Sequence, residues 1–152
     1  MKKLFLLYAI CLLSFPTMGQ NSEYIDLGLP SGTLWKNINE EGYFSHSKAM
    51  EQFGTQLPEK QHFVELKKEC QWIWMNDYGY KVIGPNGNTI MLPAAGSRSL
   101  LTGEATNAGA YGFYWSSTLD GSVQACGLSF ISSAVIIMNY HTPCCFSVRL
   151  IK

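Results

Sequence analysis

The hydrophobic pattern changes period along the chain, and each change predicts a different element. Leu4 to Phe15 is an unbroken apolar run directly after Met1-Lys2-Lys3. Gly28-Leu-Pro-Ser-Gly32 reads as a turn, followed by an extended segment at Thr33-Leu-Trp35. Ser45 is placed to cap a short helix carrying Ala49, Met50 and Phe53 on one face, with Gly54 placed to end it. After Pro58, Phe63, Leu66, Cys70 and Ile73 recur at helical spacing while Glu59, Lys60, Lys67 and Lys68 take the other side, so a second helix is expected there. Beyond residue 78 the period shortens to two. Tyr80 to Ile83 and Thr89 to Leu92 flank Gly84-Pro-Asn-Gly-Asn88, a hairpin signal. Further strands are expected over 111–117, 124–130, 134–140 and 146–151. In the last of these Phe146, Val148 and Leu150 point one way, and Ser147 and Arg149 the other. Two early helices followed by antiparallel strands predict an α+β domain.

Composition narrows this further. Aromatic residues make up 13% of the 152-residue chain and charged residues 14%, against about 25% charged in an average soluble protein. Such a chain buries a substantial core and is not disordered. The basic Lys2-Lys3 followed by a short apolar run, with small residues at Thr17 and Gly19, reads as a signal peptide over residues 1–19 cut before Gln20. Residues 20–152 are then one domain, with a net charge of −2 and no electrostatic case for nucleic acid. Export to the periplasm, cell surface or medium is expected, with no membrane-spanning segment after cleavage. Cleavage leaves Cys70, Cys126, Cys144 and Cys145. Cys70 reads as a buried thiol on the helix stripe, and the favoured bridge is Cys126 with Cys144 or Cys145.

Seven motifs sharpen the picture. Tyr24-Ile-Asp-Leu-Gly-Leu-Pro-Ser-Gly-Thr-Leu-Trp35, Leu57-Pro-Glu-Lys-Gln-His-Phe-Val-Glu-Leu66, Cys70-Gln-Trp-Ile-Trp74, Gly79-Tyr-Lys-Val-Ile-Gly-Pro-Asn-Gly-Asn88, Leu92-Pro-Ala-Ala-Gly96, Tyr114-Trp-Ser-Ser-Thr118 and Phe146-Ser-Val-Arg149 occur in this order. Together they resemble the Fibrobacter succinogenes major paralogous domain, abundant in secreted and surface proteins of Bacteroidetes. The resemblance spans nearly all of residues 20–152. It implies a C-type lectin-like fold, with two N-terminal helices packed on a twisted antiparallel sheet and long loops on one side. The chain departs from the pattern in its short Lys36 to Gln56 segment, in Glu59 where a threonine cap is usual, and in the ending Val148-Arg-Leu-Ile151.

No constellation points to catalysis. Trp74-Met-Asn-Asp77 superficially resembles a lectin calcium motif, but it lies too early and lacks the other oxygen ligands that calcium needs. His46, His62 and His141 are dispersed, and neither a zinc spacing nor a nucleophile elbow is present around Ser116. No metal, cofactor or enzymatic activity is therefore expected. Trp72 and Trp74 share one face of an extended segment; packing in the core is the favoured reading and a stacking platform for sugars the other. Trp115 and Phe63 read as core. The Gly, Asn and Tyr-bearing loops make Asn107, Tyr111, Asp120, Asn139, Tyr140 and His141 the candidate ligand contacts. The expected function is a non-catalytic binding or adhesion module for a protein or glycan outside the cytoplasm. The alternative is a structural or assembly component of the cell envelope.

Overall fold

The computed structural model describes residues 23–152; the expected signal peptide and the expected cut before Gln20 lie outside them. Strands β1 (Tyr24–Asp26) and β2 (Leu34–Lys36) pair antiparallel. Helix α1 (His46–Phe53) starts where the Ser45 hydroxyl accepts from the Lys48 amide and stops at Gly54. Helix α2 (Lys60–Glu69) follows. At its start the Glu59 amide donates to His62 Nδ1 at 2.9 Å, the reciprocal half of a capping box between Glu59 and His62. Strands β3 (Gln71–Met75), β4 (Gly79–Ile83) and β5 (Thr89–Pro93) form an antiparallel meander. Two-residue strands β6 (Ser97–Arg98) and β7 (Ala105–Thr106) pair with each other. The largest sheet has the order β10-β9-β8, from β8 (Gly112–Asp120), β9 (Gln124–Ile131) and β10 (Ala134–His141).

Two apolar clusters hold these pieces together. One gathers Ile25, Leu27, Trp35, Phe63, Leu66, Val82, Leu92, Tyr114 and Leu128; the other joins Ala49, Leu57, Trp115, Phe146, Val148 and Leu150. Phe63 and Trp115 are fully buried, in keeping with the pattern that placed them in the core. Trp72 and Trp74 pack edge-on against Tyr80 at 5.4 and 5.1 Å, which favours the core reading for most of each ring.

The expected fold class is corrected. The chain does not form an α+β, C-type lectin-like arrangement of two N-terminal helices on one twisted sheet. Among the described residues it is mostly β, with 42% strand and 16% helix, two short helices and several small sheets. Two local causes are visible. The Phe63, Leu66, Cys70, Ile73 stripe is not one helix: α2 ends at Glu69, Cys70 is extended, and Ile73 sits in β3 with 40% of its surface exposed. The Trp-Ile-Trp run there favours a strand that β4 can pair. Residues 146–151, expected as a regular strand, instead make isolated bridges to Phe44, Tyr114 and Trp35, crossing several elements rather than completing one sheet.

That crossing also buries both faces of the last segment. Ser147 and Arg149 are 2% and 1% exposed, although the alternation suggests a solvent side. Arg149 Nε donates to Asn39 Oδ1 at 2.8 Å, and its terminal nitrogens donate to the carbonyls of Lys36, Asn37 and Met91. The favoured disulfide is likewise absent: Cys70, Cys126, Cys144 and Cys145 all carry free thiols. Cys126 lies opposite Asn139 of β10, whereas Cys145 is bridged to Arg98 of β6 and its thiol turns to the Pro143 carbonyl.

Candidate functional site

The β10-β9-β8 sheet packs its inner face into the first apolar cluster; its outer face carries Trp115, Ala125 and Tyr140 into the second cluster and is exposed at Ile136 and Met138. Tyr114, Leu128 and Ile137 stand in one cross-strand row on the inner face. Phe113, Ser129 and Ile136 form the neighbouring row, on the outer face. Tyr140 also belongs to the outer face; its hydroxyl contacts Ser129 Oγ, and its ring meets Phe113 and Phe146 edge-on. With Tyr111 and Ala134 these side chains line an apolar hollow of about 200 Å³.

At the Tyr111 end this hollow adjoins a wider, mixed groove of about 490 Å³ lined by Trp74, Asn76, Asp77, Gly109, Ala110, Tyr111, Ile131 and Ser132. Three turns build it: β3 to β4, residues 107–111, and β9 to β10. The turns are tied together through their backbones. The Ala94 amide donates to Tyr78 O and the Gly109 amide to Ala94 O, both at 2.7 Å. Beneath the third turn the Tyr80 hydroxyl reaches Ile131 O and Ser132 O at 3.0 and 3.1 Å. The groove is therefore a braced surface, although it is made of loops.

Its two walls differ in chemistry. Tyr111 is 41% exposed and stacked nearly parallel on Phe113, 5.9 Å between centroids and 5° between planes. Opposite stand Asn76 and Asp77, whose side chains, like that of Ser132, make no hydrogen bond to other described residues. Asp77 and Asn107 are the two non-glycine residues with positive φ among the described residues, at 60° and 61°. Both shape turns of the groove. Aspartate and asparagine tolerate this conformation better than most side chains, at a modest cost in strain.

The expected ligand contacts do not form one site. Asn107 and Tyr111 share a turn, where Asn107 O accepts from the amides of Ala110 and Tyr111, and Tyr111 lines the groove. Asp120, Asn139 and His141 lie at the far end of the sheet, with Asn139 Nδ2 donating to Asp120 Oδ2. Tyr140 is a strand residue, half-buried among aromatic rings rather than a loop contact. The sequence reading missed Asn76, Asp77 and Ser132. Asn76 and Asp77 stand out in the sequence only within Trp74-Met-Asn-Asp77, as a calcium motif without its further ligands, and nothing there marks Ser132.

Outside the groove the titratable groups are subdued. Burial pushes the Cys70 thiol up to about 11 and the Tyr114 phenol up to about 12, away from reactive forms. Burial also raises the Cys126, Cys144 and Cys145 thiols. His46 is lowered by burial, partly offset by its hydrogen bond to Ser116 O at 2.9 Å. Among the described residues no three His, Cys, Asp or Glu side chains are grouped as metal ligands, and no helix is long and apolar enough to cross a membrane.

Residues 69–151, more than half of the chain, match the family described as a domain of unknown function, DUF8237. The chain belongs to that family. The DUF8237 segment runs from the last residue of α2 to the end of the bridging C-terminal run, and so contains every residue of the groove. The match carries no link to the Fibrobacter paralogous domain. No curated protein and no solved structure matches the chain.

Proposed function

We propose that this protein is an exported, non-catalytic binding module that takes a carbohydrate in the groove between its three braced turns. The observation that carries this reading is the pairing of Tyr111 and Trp74 with the free polar groups of Asn76, Asp77 and Ser132 in one open groove. A sugar presents apolar C–H faces and rings of hydroxyls. Aromatic surface stacks on the former, and amide, carboxylate and hydroxyl groups bond the latter. Backbone bracing lowers the ordering cost on binding. The signal-peptide pattern supports export.

The test is a glycan array followed by titration calorimetry of any hit. Tyr111→Ala and Asp77→Asn are each expected to weaken binding at least about tenfold, or ~1.4 kcal/mol, with the melting temperature nearly unchanged. Absence of any glycan signal, together with capture of a defined envelope protein, would overturn this reading in favour of an assembly component.

A further inference from the structure

The open edge of β10 is not explained by the groove. β10 runs eight residues, Ala134-Val-Ile-Ile-Met-Asn-Tyr-His141, in unbroken register with β9 and with no proline. A two-residue turn joins it to β9, so Ile131 and Ala134 are a hydrogen-bonded pair. The alternation then directs the backbone groups of Ile136, Met138 and Tyr140 toward β9 and those of Val135, Ile137, Asn139 and His141 away from it. His141 O accepts from the Cys144 amide, whereas the outward N–H and C=O groups of Val135, Ile137 and Asn139 make no hydrogen bond among the described residues. Ile136 and Met138, on the outer face, are 46% and 48% exposed. Natural edges are usually guarded by charge, proline or a bulge, because unpaired groups on a regular strand recruit another strand. This edge has none of these guards.

We propose that the β10 edge docks a second copy of this chain, pairing antiparallel with itself about a two-fold axis at Ile137. The register argues for a copy rather than an unrelated strand. With Ile137 opposite Ile137, the outward groups of Val135 in one copy meet those of Asn139 in the other, and the reverse. Val135, Ile137 and Asn139 thus satisfy one another, and His141, the fourth outward residue, has its carbonyl already taken by the Cys144 amide and only its N–H left over. On the outer face the same register sets Ile136 against Met138 and Ala134 against Tyr140, so apolar meets apolar. Charge does not oppose the approach: β10 contains no Asp, Glu, Lys or Arg, and residues 20–152 carry a net charge of only −2. Size sets the strength. A strand edge about 26 Å long on a sheet about 10 Å thick presents roughly 260 Å² in projection, short of the ~800 Å² per partner in a standard interface. The dimer is therefore reversible, appears as concentration rises, and presents two grooves at once. None of this depends on the carbohydrate reading, since Met138 lies outside the groove.

Sedimentation velocity of the exported chain from micromolar to millimolar concentration, with amide-resolved hydrogen exchange at both ends, tests the proposal. The expected result is a monomer–dimer equilibrium in which the amides of Val135, Ile137 and Asn139 exchange fast in the monomer and slowly in the dimer. Met138→Lys should weaken dimerisation at least tenfold, and Asn139→Pro should do so by removing one outward N–H. Both variants should keep the wild-type circular dichroism. A chain that stays monomeric at millimolar concentration overturns the proposal. So does a dimer in which those three amides exchange as in the monomer, or edge protection that appears only when a different protein is added.

Discussion

His46 shows how a single side chain becomes part of the frame. It opens α1, is 3% exposed, and stands edge-on to Trp115 at 5.2 Å while Nε2 faces the Ser116 carbonyl. Only a protonated Nε2 can donate to that carbonyl, so the neutral ring carries its hydrogen there. Burial lowers its pKa below the ordinary 6.5, so the native state resists a second proton that the unfolded chain accepts. The stability this supplies is complete above 6.5 and is lost as pH falls through the depressed native value. The melting temperature should therefore drop between about pH 7.5 and pH 5, and His46→Gln should flatten that slope; an equal slope in the variant would remove His46 as the cause. Arg149 makes a second case. Its donors serve four acceptors, on Asn39, Lys36, Asn37 and Met91, and Asn39 in turn donates to the Tyr114 hydroxyl. Arg149→Met should cost roughly 3 kcal/mol or more in denaturant unfolding, because it strands buried carbonyls. Period-two alternation correctly separated Arg149 from Val148 and Leu150. It carried no information that both sides would be covered, because the cover comes from Lys36 to Asn39, over a hundred residues away.

Among the elements, the segment Ala94 to Gly96 does most to position the groove. Gly96 has φ of 67°, its amide donates to Tyr111 O at 2.7 Å, and an added Cβ would lie 2.0 Å from Thr106 O. A side chain there meets backbone on both counts of conformation and space. Gly96→Ala should destabilise by at least about 2 kcal/mol and loosen the 107–111 turn, weakening ligand binding along with stability. Gly103 has a similar φ of 69° but open space around it, so Gly103→Ala should cost only the left-handed strain, about 1 kcal/mol. Equal melting temperatures for the two variants would show that the close approach is not what matters. Local signals of this kind were legible in advance: the Ser45 cap, the Gly54 stop, the hairpin at 84–88 and the strands at β4, β5, β9 and β10 appear within a residue or two, whereas β8 runs three residues further than expected and the two-residue β6 and β7 were not expected. The failures came where two local periods overlapped. Phe63 to Ile73 fits a helix by spacing, yet the same residues include the strand-forming Trp72-Ile73-Trp74, and pairing with β4 decided between them. The groove was half visible, through Tyr111 and Asn107. Its other wall depends on which turns the Ala94 backbone ties together, a fact that no periodicity encodes.

At the scale of the whole molecule, the family boundary and the physical boundary disagree. The DUF8237 match begins at Glu69, but the core does not. Ile25, Leu27, Leu29, Trp35, Phe63 and Leu66 belong to the same buried cluster as Val82, Leu92 and Leu128, and Ala49 and Leu57 belong to the cluster of Trp115 and Val148. The backbone crosses the boundary as well. Lys152 O accepts from Leu34, Leu150 O from Lys36, Val148 O from Glu40 and Phe146 O from Phe44, all at 2.9 or 3.0 Å. Cutting at residue 69 would expose the inner face of the largest sheet and leave the last segment without most of its partners. Losing the burial of that apolar face together with the cross-boundary backbone bonds is large against the marginal stability of an ordinary domain. The fragment 69–152 should therefore show no cooperative thermal transition, retaining at most the β3 to β5 meander. Supplying residues 20–68 as a separate chain should restore a cooperative transition with lower stability, since the association entropy then opposes assembly. Calorimetry of the fragment alone and of the mixture decides the matter. A sharp transition in the isolated fragment, near that of the intact chain, would mean that the family segment folds by itself and that β1, β2, α1 and α2 are an attached layer rather than half of the core.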